Sequence, residues 1–342
     1  MIILFIFLIG ILILIHEFGH FLFAKILKVK VEEFGIGFPP RIFKKRKGET
    51  IFSFNLIPLG GFVKLYGEEE KKGVPYSFSD KSPVERMLII VAGVVLNIFL
   101  AYFIFSLVSL LGISKPIFDE RPGQIMIFEV SKNSPAYSAG LRQGDFILNF
   151  NQISDFQKFV KENLGKDIEL LIKRKNQVFK IVVVPRKEYP KNEGPLGVAI
   201  YKVEYIKKNF GENFVYAGKI TISFLGEMIA KLFQIFKNLL VKKEVPKDVV
   251  GPVGIFHLLF QLQSFGLNYI LFVFGIISLN LALINILPFP ALDGGRFLFV
   301  FIEFLTGKQV NKKVEEVIHA AGFIILIFLA LIVTIKDLRM IF

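Results

Sequence analysis

The stretch 11-ILILIHEFGHFLFAKIL-27 follows ten residues that are almost all apolar, and together they are long enough to cross a bilayer. Two histidines and a glutamate interrupt it. A charged group at the centre of a spanning helix costs about 2.5–3.5 kcal/mol, so His16, Glu17 and His20 call for a functional reason. The run has no basic segment at its start and no small-residue cleavage site, and it reads as a retained span, not a secretory signal. At about 1.5 Å per residue, His16 lies roughly 22 Å along the helix from Met1.

The whole chain shares this character. Its 342 residues are 53% hydrophobic with a mean hydropathy of +0.57, above the roughly 45–50% apolar content of an ordinary soluble domain. Four segments reach spanning length: 1–27, 87–112, 267–290 and 317–336. The absence of cysteine excludes disulfides, thiolate ligands and thiol nucleophiles. A net charge of +13 would suit nucleic acid in a soluble protein, but no aromatic and basic stripe or reader motif accompanies it, so no nucleic-acid partner is expected. Basic residues of membrane proteins collect in cytosolic loops. The segments 28–86, with 41-RIFKKRK-47, and 296–316, with Arg296, Lys308, Lys312 and Lys313, are therefore expected in the cytosol. The long connection 113–266 then falls on the opposite side.

His16-Glu17-Phe18-Gly19-His20 fits H-E-x-x-H. Residues i and i+4 share one helix face, so two imidazoles can hold one metal ion, with the glutamate beside them to take a proton from an activated water. Zinc suits such ligands and leaves a position open for a carbonyl. The plain alternative is a hydrogen-bonded histidine pair packing the helices, which has to absorb the desolvation cost without a ligand in return. A catalytic zinc needs a third protein ligand in or near the membrane. Asp293 in 280-NLALINILPFPALDGGRF-297 is the candidate, because Pro288 and Pro290 before it and Gly294 and Gly295 after it break regular helix. It is read as a ligand or as a turn cap at the membrane surface. His257 and His319 lack ligand spacing and are assigned to packing.

Between spans two and three, 124-QIMIFEV-130 and 167-DIELLIKRKNQVFKIVVVPR-186 read as strands, with a hairpin around Lys175 and Asn176. The text 139-AGLRQGDFI-147 resembles the PDZ domains of bacterial proteases, although Asn151-Gln152 stands where Asn-Gly is common. The resemblance implies either a peptide or chain terminus bound at a sheet edge or a steric filter without a ligand. Residues 201–240 mix lysine with phenylalanine at helical spacing, which suits an interfacial amphipathic helix. In the loop 28–66, alternating residues around glycine and proline suggest short strands beside the membrane.

Taken together the chain resembles the site-2 protease family of intramembrane zinc metalloproteases, in particular the bacterial branch called regulator of sigma-E protease, in a form with a single PDZ domain. The resemblance rests on H-E-x-x-H in the first span, on Asn285-Ile286-Leu287-Pro288-Phe289-Pro290-Ala291-Leu292-Asp293-Gly294 for N-x-x-P-x-P-x-L-D-G in the third, and on the insertion between spans two and three. It implies His16, His20 and Asp293 as zinc ligands, Glu17 as general base, Asn285 as a residue holding the unwound substrate backbone, and 28–66 as a membrane-associated β-region that pairs with substrate. Asn97 and Asn280 are read as interhelical hydrogen-bonding groups. The segment 92-AGVVLN-97 departs from relatives that carry a proline after the glycine.

The expected fold is a polytopic α-helical membrane protein with four transmembrane helices, a membrane-associated β-region and an inserted extracytoplasmic PDZ domain. Its parts are helix 1 (1–27), a cytosolic loop with strands (28–86), helix 2 (87–112), PDZ (113–200), an amphipathic connection (201–266), helix 3 (267–295), a cytosolic loop (296–316), and helix 4 with a tail (317–342). The expected activity is cleavage of single-span membrane proteins within the bilayer of a bacterial cytoplasmic membrane, with the active site toward the cytosol. Anti-sigma factors and remnant signal peptides are the implied substrates. A catalytically silent PDZ-bearing scaffold is the alternative from another class. A transporter is disfavoured because no repeat of spans is visible.

Overall fold

A chain in hydrocarbon has to satisfy its backbone groups within itself, so long apolar runs become helices. The computed structural model describes residues 2–68, 70, 72–117, 123–175, 177–190, 193–242 and 250–341. In chain order its elements are α1 (Ile2–Ile26), β1 (Val31–Lys47), β2 (Thr50–Leu65), α2 (Pro83–Leu111), β3 (Ile113–Pro116), β4 (Gln124–Val130), α3 (Pro135–Ser138), β5 (Phe146–Ile147), α4 (Ile153–Glu162), β6 (Ile168–Arg174), β7 (Gln177–Val183), β8 (Val198–Ile206), α5 (Phe210–Lys242), α6 (Pro252–Leu262), α7 (Leu267–Ile286), α8 (Asp293–Thr306) and α9 (Lys312–Ile341). Among the described residues four helices are long and apolar enough to cross a membrane: α1, α2, α7 and the Lys312–Arg339 part of α9. This is the architecture of a polytopic membrane protein that also contains sheets.

The chain divides into two units. The first holds the residues up to Leu107, Phe214–Gln261 and everything from Ile270 onward. Within it, α2 starts at a capping box. Ser82 Oγ accepts from Glu85 N–H at 3.3 Å, Glu85 Oε2 accepts from Ser82 N–H at 2.9 Å, and Pro83 takes the first helical position, where no N–H is needed. β1 and β2 form more than a simple hairpin. Phe34 pairs with both Phe52 and Val63, Gly35 with both Ser53 and Phe62, and Ile36 with both Phe54 and Gly61. β2 therefore doubles back near Pro58 and flanks β1 on both sides. Its last segment, 61–65, is an edge. Val63 and Leu65 on that edge pack with Phe21 and Ala24 of α1 and Ile89 of α2. Elsewhere in the unit Phe105 of α2 packs with Ala217 of α5 and Leu279 of α7.

The second unit, Val108–Asn213 with Leu262–Tyr269, is built on an antiparallel six-stranded sheet of order β3-β8-β4-β5-β6-β7. Alternation in β6 turns Ile168, Leu170 and Ile172 inward, where Ile125, Ile127, Leu141 and Ile147 meet them. α4 closes this core with Phe156 and Val160, one helical turn apart. α3 is capped by Ser134, whose Oγ accepts from Tyr137 N–H at 3.2 Å.

Two local differences from the sequence reading have physical causes. Residues 201–206, expected in a helical connection, belong to β8, where VAIYKVEYI supplies the β-branched and aromatic residues that strands favour. Residues 296–306, expected in a loop, belong to α8, which carries an apolar face and ends at Gly307 in the left-handed conformation with its N–H bonded to Glu303 O. The hairpin expected around Lys175 and Asn176 is formed by β6 and β7, paired up to Arg174 and Gln177, and Asn176 lies outside the described residues.

Candidate metal centre

His16 and His20 come from one face of α1, and that face is pressed against α2. A Cβ at Gly93 would lie 2.6 Å from His20 Nε2 and 2.7 Å from His16 Cε1, and a Cβ at Gly19 would lie 2.5 Å from Ala92 O. Only glycine at these two positions lets the helices approach closely enough for the imidazoles to lie on the α2 backbone. The proline missing after Gly93 therefore leaves this crossing in place.

Each ring has one nitrogen committed to orientation. His20 Nδ1–H donates to Ile89 O at 2.8 Å, which leaves Nε2 with its lone pair. His16 Nδ1 lies 3.3 Å from the amide of fully buried Asn97. Amide oxygen and nitrogen are assigned from their partners. The structure sets Asn97 Nδ2 toward this nitrogen and leaves Oδ1 without a partner; turning the amide over lets Oδ1 accept the Nδ1 proton that a bare Nε2 on His16 requires. The backbone at Asn97 is in turn tied to α7, where Ser278 Oγ donates to the Asn97 main-chain carbonyl at 2.8 Å. The sequence reading gave Asn97 an interhelical role only. Its position beside His16 depends on a helix crossing that no linear pattern displays. Asn280 is exposed on α7 and plays no part here.

Asp293 arrives from the other end of the chain. α7 stops at Ile286, the Pro288 and Pro290 segment turns, and Asp293 opens α8. Its Oδ2 lies 2.7 Å from His16 Nε2 and 3.3 Å from His20 Nε2, and the two Nε2 atoms are 3.2 Å apart. Zinc–ligand bonds of about 2.0–2.1 Å at tetrahedral angles set neighbouring ligand atoms about 3.3 Å apart. Two imidazoles and a carboxylate with this spacing fit one zinc ion, and among the described residues His16, His20 and Asp293 are the group whose side-chain atoms lie close enough together to hold one.

The neighbouring groups complete the site. Glu17 faces the backbone amide of Val63 on the β2 edge. Asn285, in the last turn of α7, has its amide 3.3 Å from His16 Nε2. Glu17, His20 and Asp293 line a cavity of about 120 Å³ together with Val63, Leu65, Glu68 and Arg296, room for several waters. A second cavity of about 420 Å³ shares the walls Val63, Glu68, Phe78, Ile90 and Arg296 and adds the charged side chains of Arg86, Glu303, Lys312 and Glu315. Arg296 pairs with Glu68 where the two meet. His257 stands apart, bonded to Gln261 one turn along α6 at 3.0 Å.

Comparison with known proteins gives the same direction. The family model described as Peptidase family M50 matches residues 4–329. A protein of Clostridium acetobutylicum, provisionally named a zinc metalloprotease, is 35% identical over 335 residues, 96% of this chain and 94% of its own length. Zinc metalloprotease RasP of Oceanobacillus iheyensis is 28% identical, covering 99% of this chain and 98% of its own. The regulator of sigma-W protease RasP of Bacillus subtilis is 27% identical with the same coverage.

Proposed function

The chain belongs to peptidase family M50, the site-2 proteases, and from that premise we propose that it is an intramembrane zinc endopeptidase that cleaves single-span membrane proteins inside the bilayer. The observation that carries this reading is the convergence of His16 Nε2, His20 Nε2 and Asp293 Oδ2 beside Glu17 within an apolar span. His16, His20 and Asp293 hold the zinc. Bound there, zinc acidifies water toward neutrality and polarises a carbonyl. Glu17 takes the proton of the attacking water and returns it to the leaving amine. Asn97 and the Ile89 carbonyl keep both rings turned with Nε2 toward the ion.

A peptide bond in a helix is protected by its own hydrogen bonds, so a substrate span has to be drawn out before attack. The 61–65 edge of β2 runs alongside Glu17 as the strand to which an extended segment adds, and the Asn285 amide supplies a further polar contact near His16. The polar cavity that shares a wall with the site gives water a route to it. From the basic loops we read this side of the protein as cytosolic, and we read the second unit as a single PDZ domain outside a bacterial cytoplasmic membrane. That domain acts as a filter or binds a peptide or chain terminus. Anti-sigma factors and remnant signal peptides are the substrate classes, in line with the name of the Bacillus subtilis relative.

The test is metal content against cleavage. Purified full-length protein carries one zinc per chain, chelation stops cleavage of a single-span substrate, and added zinc restores it. His16→Ala loses the zinc. Unchanged zinc content in that variant moves the ligand set elsewhere.

A further inference from the structure

α9 is the least buried of the four spanning helices, with 6% of its spanning window buried against 50% for α2. One of the places where it does meet the rest of the first unit is the backbone that leads to Asp293. His319 Nδ1 accepts a hydrogen bond from Ala291 N–H at 2.8 Å. One turn further on, Gly322 lies so close to Pro290 that a Cβ there would stand 2.4 Å from Pro290 Cβ and 2.7 Å from its carbonyl oxygen. Ala291 holds φ at 72°, in the left-handed region that a residue with a Cβ rarely adopts. Such a conformation persists only where the surroundings over-determine it. Pro288 and Pro290 have no N–H to give, so the Ala291 amide is one of few donors by which this turn can be fixed.

From this geometry we infer that His319 is a positioning residue for the metal centre, holding the Ala291 amide so that the turn delivers Asp293 to His16 and His20. The inference rests on the zinc site proposed above. An amide N–H can only donate, so His319 Nδ1 carries the lone pair and Nε2 the proton. With that lone pair committed to Ala291, His319 is not itself a ligand. The buried Nε2 has no hydrogen-bond partner among the described residues, and the nearest acid, Glu315, is 3.9 Å away. The ring lies 5.6 Å from that of Phe299 on α8, which packs against it. His319 acts on the metal only through the backbone.

The experiment compares full-length wild type with His319→Leu, His319→Asn and His319→Gln. Asn places Oδ1 where Nδ1 stands, Gln sets its acceptor one bond further out, and Leu has none. Zinc affinity is read by chelator competition, ligand geometry by the visible spectrum of the cobalt-loaded protein, and cleavage as separate kcat and KM. His319→Leu is expected to weaken zinc binding about 10- to 100-fold, to change the cobalt spectrum and to lower kcat with little change in KM. His319→Asn is expected to recover most of each, and His319→Gln less. A Leu variant with wild-type zinc affinity and cobalt spectrum overturns the inference, as does an Asn variant no better than Leu. Should the Leu variant not accumulate, Asn against Gln decides, and equal zinc affinities for the two overturn it. A wild type that binds no zinc overturns the metal-centre reading and this inference with it, whereas zinc in wild type with indifferent His319 variants overturns this inference alone.

Discussion

Asp145 and Asp293 are two carboxylates drawn in from turns, one in each unit, and their partners differ in kind. Asp145 is fully buried and surrounded by donors. Arg174 Nε donates to Oδ1 at 2.7 Å, Arg174 Nη2 to Oδ2 at 2.8 Å, and Arg142 N–H to Oδ2 at 2.8 Å. The bond to Asp145 holds the Arg174 guanidinium above its ordinary value against the opposing effect of burial. This is a closed structural pair. Asp293 instead points its Oδ2 at two imidazole nitrogens, 2.7 Å and 3.3 Å away, each of which offers a lone pair when its ring proton sits on Nδ1. On the reading proposed above, a carboxylate that finds its donors within the chain supports the fold, and one that faces two imidazoles marks a place for an ion.

Substitutions that separate the two carboxylates test this contrast, beginning with the largest effect. Asp293→Ala is expected to lose bound zinc and at least about 10³-fold in cleavage while the helices persist, since metal and base act as a unit. Zinc analysis and circular dichroism check it. Asp145→Ala is expected to do the reverse, leaving zinc in place but destabilising the second unit by about 3 kcal/mol, because a guanidinium loses its partner. Limited proteolysis or hydrogen exchange in the sheet measures that. Asn97→Leu removes only an orienting contact to His16 and should weaken zinc binding about 10-fold, read by chelator competition. Removing the exposed Lys180–Glu169 pair, whose atoms are 2.7 Å apart, should change stability by about 0.5 kcal/mol or less. An exposed pair that mattered as much as Asp145 would break the contrast from the other side.

Much of this was open to view in the sequence because it is written in local patterns. The four apolar runs show as hydropathy. His16, Glu17 and His20 show as one face of one helix, and Asp293 shows through the prolines and glycines that frame it. The meeting of His16 and His20 with Asp293 across 277 residues was reached by resemblance, and the structure brings their ligand atoms together. Other features have no linear trace. Asn97 and His319 belong to no motif, and their partners are set by the Gly19–Gly93 crossing and by the close approach of Gly322 to Pro290. The doubling of β2 at Pro58 depends on which side of β1 the returning segment finds. The strand 201–206 was hidden because its lysines and phenylalanine-rich sequel suit an amphipathic helix as well.

The central claim is that Glu17 moves the proton for a hydrolysis carried out by the His16, His20 and Asp293 centre. The direct measurement is cleavage of a model signal-peptide substrate by Glu17→Gln and by wild type, with zinc content determined on the same samples. The expected result is zinc retained at one per chain and a cleavage rate lower by about 10²- to 10⁴-fold, the usual share of a general base. A Glu17→Gln protein that cuts as fast as wild type contradicts the mechanism.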